Sequence, residues 1–114
     1  MPAVCRIGDK EMMECSGIPA RAQGSPDVFC NGIAVSRQGD RNTPHLGLPH
    51  LPPPPAGSGP HPSCTPHPGD PIAVGSRTVF INGRGCGRVG DKIAFTAGPN
   101  TAVSEGSPNV FAGG

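Results

Sequence analysis

The sequence has no tryptophan and no tyrosine, and hydrophobic residues make up only 34% of its 114 positions. A chain of this length buries only a modest share of its surface when it folds. With so few apolar side chains in addition, a thick hydrophobic core is excluded. Much of the stability must therefore come from strand pairing, from rigid glycine and proline turns, and from a cross-link such as a metal ion or a bound partner.

Several binding classes are excluded in the same way. Nine basic residues face eight acidic ones, and the four phenylalanines form no stacking platform, so nucleic acid is not an expected partner. No apolar segment reaches membrane-spanning length, and the N-terminus lacks the charged and apolar regions of a secretion signal.

Five cysteines, an odd number, argue against a framework made of disulfides alone. We expect Cys5, Cys30 and Cys86, which lie in predicted strands, to be small buried residues.

Glycine and proline are abundant, with 18 and 16 copies, and without periodicity they would indicate disorder. The segment 75–91, GSRTVFINGRGCGRVGD, instead has a pattern that predicts a β-hairpin. A β-branched and aromatic run at 78–81 precedes the Asn-Gly pair at 82–83, which favours a two-residue hairpin turn. The return strand is predicted at 84–89, and the Gly-Asp pair at 90–91 ends it with a second turn.

Copies of this unit occur elsewhere in the chain. Residues 24–32, GSPDVFCNG, repeat its first half and are followed by a Gly-Asp pair at 39–40 in the same register. Residues 106–111, GSPNVF, form a third copy, whose return strand can come from residues 4–9, VCRIGD. The repeats predict an all-β fold, a small three-sided β-prism of short strands in which three similar units close and the chain ends are neighbours.

One unit carries an insertion. The interval from Gly-Asp to the next Gly-Ser is 15 positions between Asp9 and Gly24, but it is 35 between Asp40 and Gly75. The enlarged loop, at about 41–71, holds all four histidines and a run of four prolines, which favours an extended, projecting conformation. The loop is too short to form a domain, so residues 1–114 are predicted to be a single domain.

Histidine and cysteine side chains concentrate in the two loops that the repeat brings to one end. Imidazole and thiolate are the preferred ligands of zinc, so a bound metal is predicted there, although histidines in a proline-rich loop could also be merely solvated. A structural zinc is favoured over a catalytic one, because the loop's only acidic residue, Asp70, stands at its edge in a Gly-Asp-Pro turn. Iron also suits histidine-rich ligation. The candidate ligands are Cys15, His45, His50, His61, Cys64 and His67.

The motifs GSPDVFCNG, GSRTVFING and GSPNVFAGG, with QGD and VGD after the first two, resemble those of PAAR-repeat proteins over nearly the whole chain. The resemblance implies a cone of short β-strands. Its broad base would sit on the blunt end of a trimeric β-helical spike, in a contractile phage tail or a type VI secretion system. A metal ion bound by histidine and cysteine would hold the apex.

The resemblance also implies a ligand set. His45 matches the residue found shortly after the second Gly-Asp pair, and His67 the histidine before the next Gly-Ser pair. Cys15 stands where such sequences usually show a histidine. The fourth ligand stays open between His50, Cys64 and His61, in that order of preference.

The implied function is that of a non-enzymatic, membrane-piercing tip, present as one copy per spike trimer and touching the target cell envelope transiently. Such a protein would be made in the bacterial cytoplasm and would reside at the tip of a virion tail or secretion machine. Three alternatives stay open: an adaptor or effector-bearing module of a secretion system, a small metal-dependent hydrolase, and a free-standing metal-binding protein.

Overall fold

The computed structural model describes residues 1–13, 17–47, 65–94 and 101–114. In these ranges the chain is all-β, without a helix, and therefore without a helix that could cross a membrane. Six short strands form three separate antiparallel pairs. The strands are β1 (Phe29–Cys30), β2 (Ile33–Ala34), β3 (His45–Gly47), β4 (Thr65–His67), β5 (Phe80–Ile81) and β6 (Arg84–Gly85), paired in that order.

The two Asn-Gly hairpins predicted from the sequence are confirmed. Asn31 and Gly32 join β1 to β2 with φ angles of 54° and 74°, and Asn82 and Gly83 join β5 to β6 with 55° and 78°. Two consecutive positive φ angles define the turn whose twist matches that of a two-stranded ribbon, and asparagine and glycine adopt them at low cost.

The predicted strand lengths are wrong. The return strand expected at 84–89 ends at Gly85. Cys86 still forms backbone hydrogen bonds with Val79 and Ser76 of its own hairpin, but it also bridges Arg37 of another unit. The short strand expected at the N-terminus is likewise a set of single bridges. Ala3 pairs with Phe111, so the N-terminal segment does supply the return partner of the last copy, and the chain ends are neighbours as predicted.

Bridges between units close into a ring. The return segments 4–9, 35–40 and 86–91 belong to the first, second and third units, and each is bridged to the next. These bridges are Arg6 with Val35, Arg37 with Cys86, and Arg88 with Val4. At the centre, three backbone hydrogen bonds form a triangle: Cys5 N to Gly87 O (3.0 Å), Gly87 N to Ser36 O (2.9 Å) and Ser36 N to Cys5 O (3.1 Å).

The same ion pair fixes the Gly-Asp turn of each unit. An arginine three residues before the aspartate donates side-chain hydrogen bonds to both carboxylate oxygens, and its backbone N–H donates a further one. These hydrogen bonds raise the pKa of Arg6 and Arg37 above the usual range of arginine. The pairs are Arg6 with Asp9, Arg37 with Asp40, and Arg88 with Asp91.

Among the described residues, the apolar core consists of two small clusters. One contains Val4, Cys30, Val35, Cys86 and Ala112, and the other contains Cys5, Ile72, Ile93 and Val103. The prediction for the strand cysteines is confirmed, since all three are buried and none forms a disulfide. Burial raises the pKa of the Cys86 thiol to about 11 and moves the pKa of Cys5 further above its usual range.

The loop end of each unit begins with one antiparallel bridge. The bridged residues are 10 positions apart in the first and third units and 30 apart in the second, which confirms an insertion of 20 residues. They are Lys10 with Ala20, Lys92 with Ala102, and Arg41 with Pro71. The enlarged loop was predicted only as a loop, without strands, but its two ends continue this pairing as β3 and β4. The proline run at 52–55 lies outside the described residues.

Candidate metal site

Strands β3 and β4 place two predicted ligands opposite each other. His45 and His67 are paired across this ladder, and their ring centroids lie 5.0 Å apart with the planes at 70°. The bridge between Arg41 and Pro71 sets this register, because it joins the two ends of the insertion before the ladder begins. Both imidazoles are almost completely buried.

In both rings Nδ1 donates a hydrogen bond to an oxygen that can only accept. His45 Nδ1 lies 2.8 Å from the carbonyl oxygen of Thr43, and His67 Nδ1 lies 2.8 Å from Oδ2 of Asp70. Each Nδ1 therefore carries the proton, and Nε2 is the atom of both residues that could bind a metal ion. A histidine held through its other nitrogen by a carbonyl or a carboxylate is the usual arrangement around protein-bound metals.

Asp70 is the third member of the site. Potential ligand atoms of His45, His67 and Asp70 all lie within 4.8 Å of one another, and Oδ2 of Asp70 is 3.6 Å from Nε2 of His45. Its side chain is 3% exposed, so a divalent cation would offset the cost of burying the carboxylate. Two imidazoles and a carboxylate suit zinc and also iron.

Sequence reasoning assigned Asp70 only to a turn. The signal that could have identified it is its position three residues after His67 and directly after Gly69, whose φ is 136°. A Cβ at Gly69 would lie 2.7 Å from the carbonyl oxygen of Asn42, so glycine lets the chain approach closely and brings Asp70 back to the ladder. Of the other predicted ligands, Cys15, His50, His61 and Cys64 lie outside the described residues.

A chain of buried polar groups connects the site to the middle of the molecule. The backbone N–H of Asp70 donates to Oδ1 of Asn42 at 2.7 Å, and Nδ2 of Asn42 donates to Oε1 of Glu11 at 2.8 Å. Glu11 in turn forms an ion pair with Arg21, and both side chains are 0% exposed. The candidate metal site thus belongs to a hydrogen-bonded network and not to an isolated loop.

The side of the molecule that carries the Asn-Gly turns at 31–32 and 82–83 is called the hairpin side. In contrast to the candidate site, it exposes aromatic side chains at equivalent positions. Each unit has one phenylalanine two residues before the first residue of its turn. At least half of each of these side chains is exposed. They are Phe29, Phe80 and Phe111. The neighbouring residues Cys30 and Ala112 point into the core, so strand alternation turns the aromatic rings outward.

The sequence was also compared with known proteins. It matches no model of a known protein family and no curated protein.

Proposed function

We propose that this protein is a structural tip of the PAAR-repeat type, a three-sided cone that caps the end of a trimeric β-helical spike in a contractile injection machine. The observation that carries the proposal is the ring of bridges joining the three units of one chain. A trimer with a three-fold axis can bind one copy of such a ring at its end, with one unit facing each spike chain.

The hairpin side is the proposed docking face. It repeats its contacts in all three units, and Phe29, Phe80 and Phe111 offer one exposed aromatic side chain to each spike chain. Apolar side chains with a common spacing suit a partner that presents the same surface three times. The opposite side, which carries the loops that follow the Gly-Asp pairs, is called the loop side. It lacks this repetition, since only the second unit carries the 20-residue insertion.

The metal is assigned to the loop side. Zinc is the first choice and iron the second, with His45 and His67 as ligands and Cys15 and His50 completing the set expected from the resemblance. A metal ion would tie the ends of the longest loop together. A chain whose described core is two small clusters needs such a cross-link, and a tip that transmits force benefits from it.

Native mass spectrometry tests the assembly. A complex with a purified homotrimeric β-helical spike should contain three spike chains and one copy of this chain. Replacing Phe29, Phe80 and Phe111 by serine together should abolish the complex, whereas the control pair Met12→Ser and Met13→Ser, exposed on the loop side, should leave it intact. A three-to-three complex, or loss with the methionine pair alone, would contradict the proposal. Metal binding without any complex would favour a free-standing metal-binding protein.

A further inference from the structure

The three units differ most in the layer directly below the metal site. Bridges between Arg21 and Asn42, Ile72 and Ile93, and Val103 and Glu11 relate the units in this layer. One set of equivalent positions holds Glu11, Asn42 and Ile93, and the other holds Arg21, Ile72 and Val103, all of them buried. The third unit is apolar at both positions, whereas the first unit has a charged pair.

A buried ion pair is weak evidence for added stability, since removing two charges from water costs about as much as their attraction returns. The pair formed by Glu11 and Arg21 is nevertheless held in one position by further bonds. Arg21 Nε donates to Oγ of Ser36 at 3.0 Å, and Nη2 donates to the carbonyl oxygen of Asp40. The second oxygen of Glu11 accepts from Asn42. The ion pair is thus a fixed anchor for the amide of Asn42.

Asn42 passes this restraint on to Asp70. Besides accepting from the backbone N–H of Asp70, it donates its own backbone N–H to the carbonyl oxygen of Asp70 at 3.0 Å. The carboxylate of Asp70 then accepts from Nδ1 of His67 at 2.8 Å. A separation of 2.8 Å is that of a hydrogen bond, so the carboxylate of Asp70 holds Nδ1 of His67 and leaves Nε2 free to face a metal.

We propose that the ion pair of Glu11 and Arg21, acting through Asn42, positions Asp70 and thereby holds His67 with Nε2 directed at the metal. Asn42 and Asp70 are in this view positioning residues and not ligands. The inference rests on the metal-binding part of the proposed function and adds to it the source of the site's rigidity.

The decisive variant imports the third unit's residues into the first, as Glu11→Ile with Arg21→Val. The variant removes the buried charges but leaves Nδ2 of Asn42 and the carbonyl oxygen of Asp40 without these partners, so a moderate loss of thermal stability is expected. Zinc affinity, measured by competition with a chelator, should fall about 10- to 100-fold, the usual effect of losing an outer partner of a metal ligand. The visible absorption spectrum of the Co²⁺-loaded protein should also change. Val103→Ile, a control in the same layer without a bond to Asn42, should retain the wild-type affinity and spectrum.

A second pair of variants keeps the ion pair in place. Asn42→Ala should reproduce the loss of affinity, and it decides the question alone if the double variant does not fold. Asp70→Asn keeps an oxygen that can accept from His67, so its loss should be no larger than that of Asn42→Ala. Wild-type affinity and spectrum in Asn42→Ala would overturn the relay, and a much larger loss in Asp70→Asn would make Asp70 a ligand. If the wild-type protein itself binds no metal, the metal part of the proposed function fails and this inference fails with it.

Discussion

The hairpin side and the loop side of this molecule obey different rules. On the hairpin side the three units make matching hydrogen bonds, and even a missing side chain is replaced: Gly113 offers its carbonyl oxygen to Arg88 where Asn82 offers Oδ1 to Arg37. On the loop side, equivalent buried positions hold a charge, an amide or an aliphatic group. Repetition would suit contact with a symmetric partner, whereas divergence would let one unit bind a single metal ion.

Removing a histidine should produce the largest effect, and it should be confined to the loop side. His45→Ala or His67→Ala should lower metal affinity by more than about 100-fold, because loss of a ligand exceeds the usual cost of losing an outer partner. Elemental analysis after dialysis, followed by chelator competition, measures this. The matched variants Cys30→Ala and Cys86→Ala alter the hairpin-side cluster and should keep the metal. Equal metal loss from these cysteine variants would show that the ligands have been assigned to the wrong residues.

The closed triangle between the two sides should be the next most sensitive point. A Cβ at Gly87 would lie 2.6 Å from the carbonyl oxygen of Ser36 and 2.7 Å from Sγ of Cys5. Gly87→Ala should therefore reduce the free energy of unfolding by about 3 kcal/mol, at the upper end of overpacking costs. Urea unfolding measures it. Among the described residues nothing lies within 4 Å of a Cβ at Gly17, so Gly17→Ala is the control, and equal stability of both variants would refute a close-packed triangle.

The sequence predicted the hairpin side far better than the loop side. Asn-Gly turns and Arg-x-Gly-Asp turns are encoded within a few residues, so their positive φ angles and their equivalence could be predicted from local chemistry. The strand lengths could not, because beyond Gly85 the backbone shares its pairing between its own hairpin and another unit. The ladder of His45 with His67 was missed for the same reason. It depends on how the ends of the insertion meet, and Asp70 joins the site only through that closure.

A smaller effect is expected where the units replace one another's hydrogen bonds. Asn82→Gly imports the residue found at position 113 and keeps the positive φ, but it removes the acceptor for Ser25 and Arg37. We expect a loss of about 1 kcal/mol in the free energy of unfolding. Asn31→Gly should cost the same, since Asn31 accepts from Ser107 and Arg6 in an equivalent way. Costs that differ by more than about 1 kcal/mol would show that the two hairpins are not energetically equivalent.

The smallest effect is a pH dependence of stability. It comes from a cysteine at a position where the other two units have valine. Cys86 is equivalent to Val4 and Val35, and burial raises the pKa of its thiol from 9.0 to about 11. The unfolded chain therefore loses this proton first as the pH rises. The contribution of Cys86 is thus fully present below about pH 9 and is lost as the pH rises towards about 11.

Cys86→Val should remove this part of the alkaline loss and leave the part due to Cys5, whose pKa is also raised by burial. Urea unfolding under reducing conditions, repeated across that pH range, measures the difference between the two proteins. At pH 7 the substitution should change the free energy of unfolding very little, because valine occupies the two equivalent positions of the same cluster. An alkaline loss as steep in Cys86→Val as in the wild type would mean that the pKa of this thiol is the same in the folded and unfolded states, and that burial does not raise it.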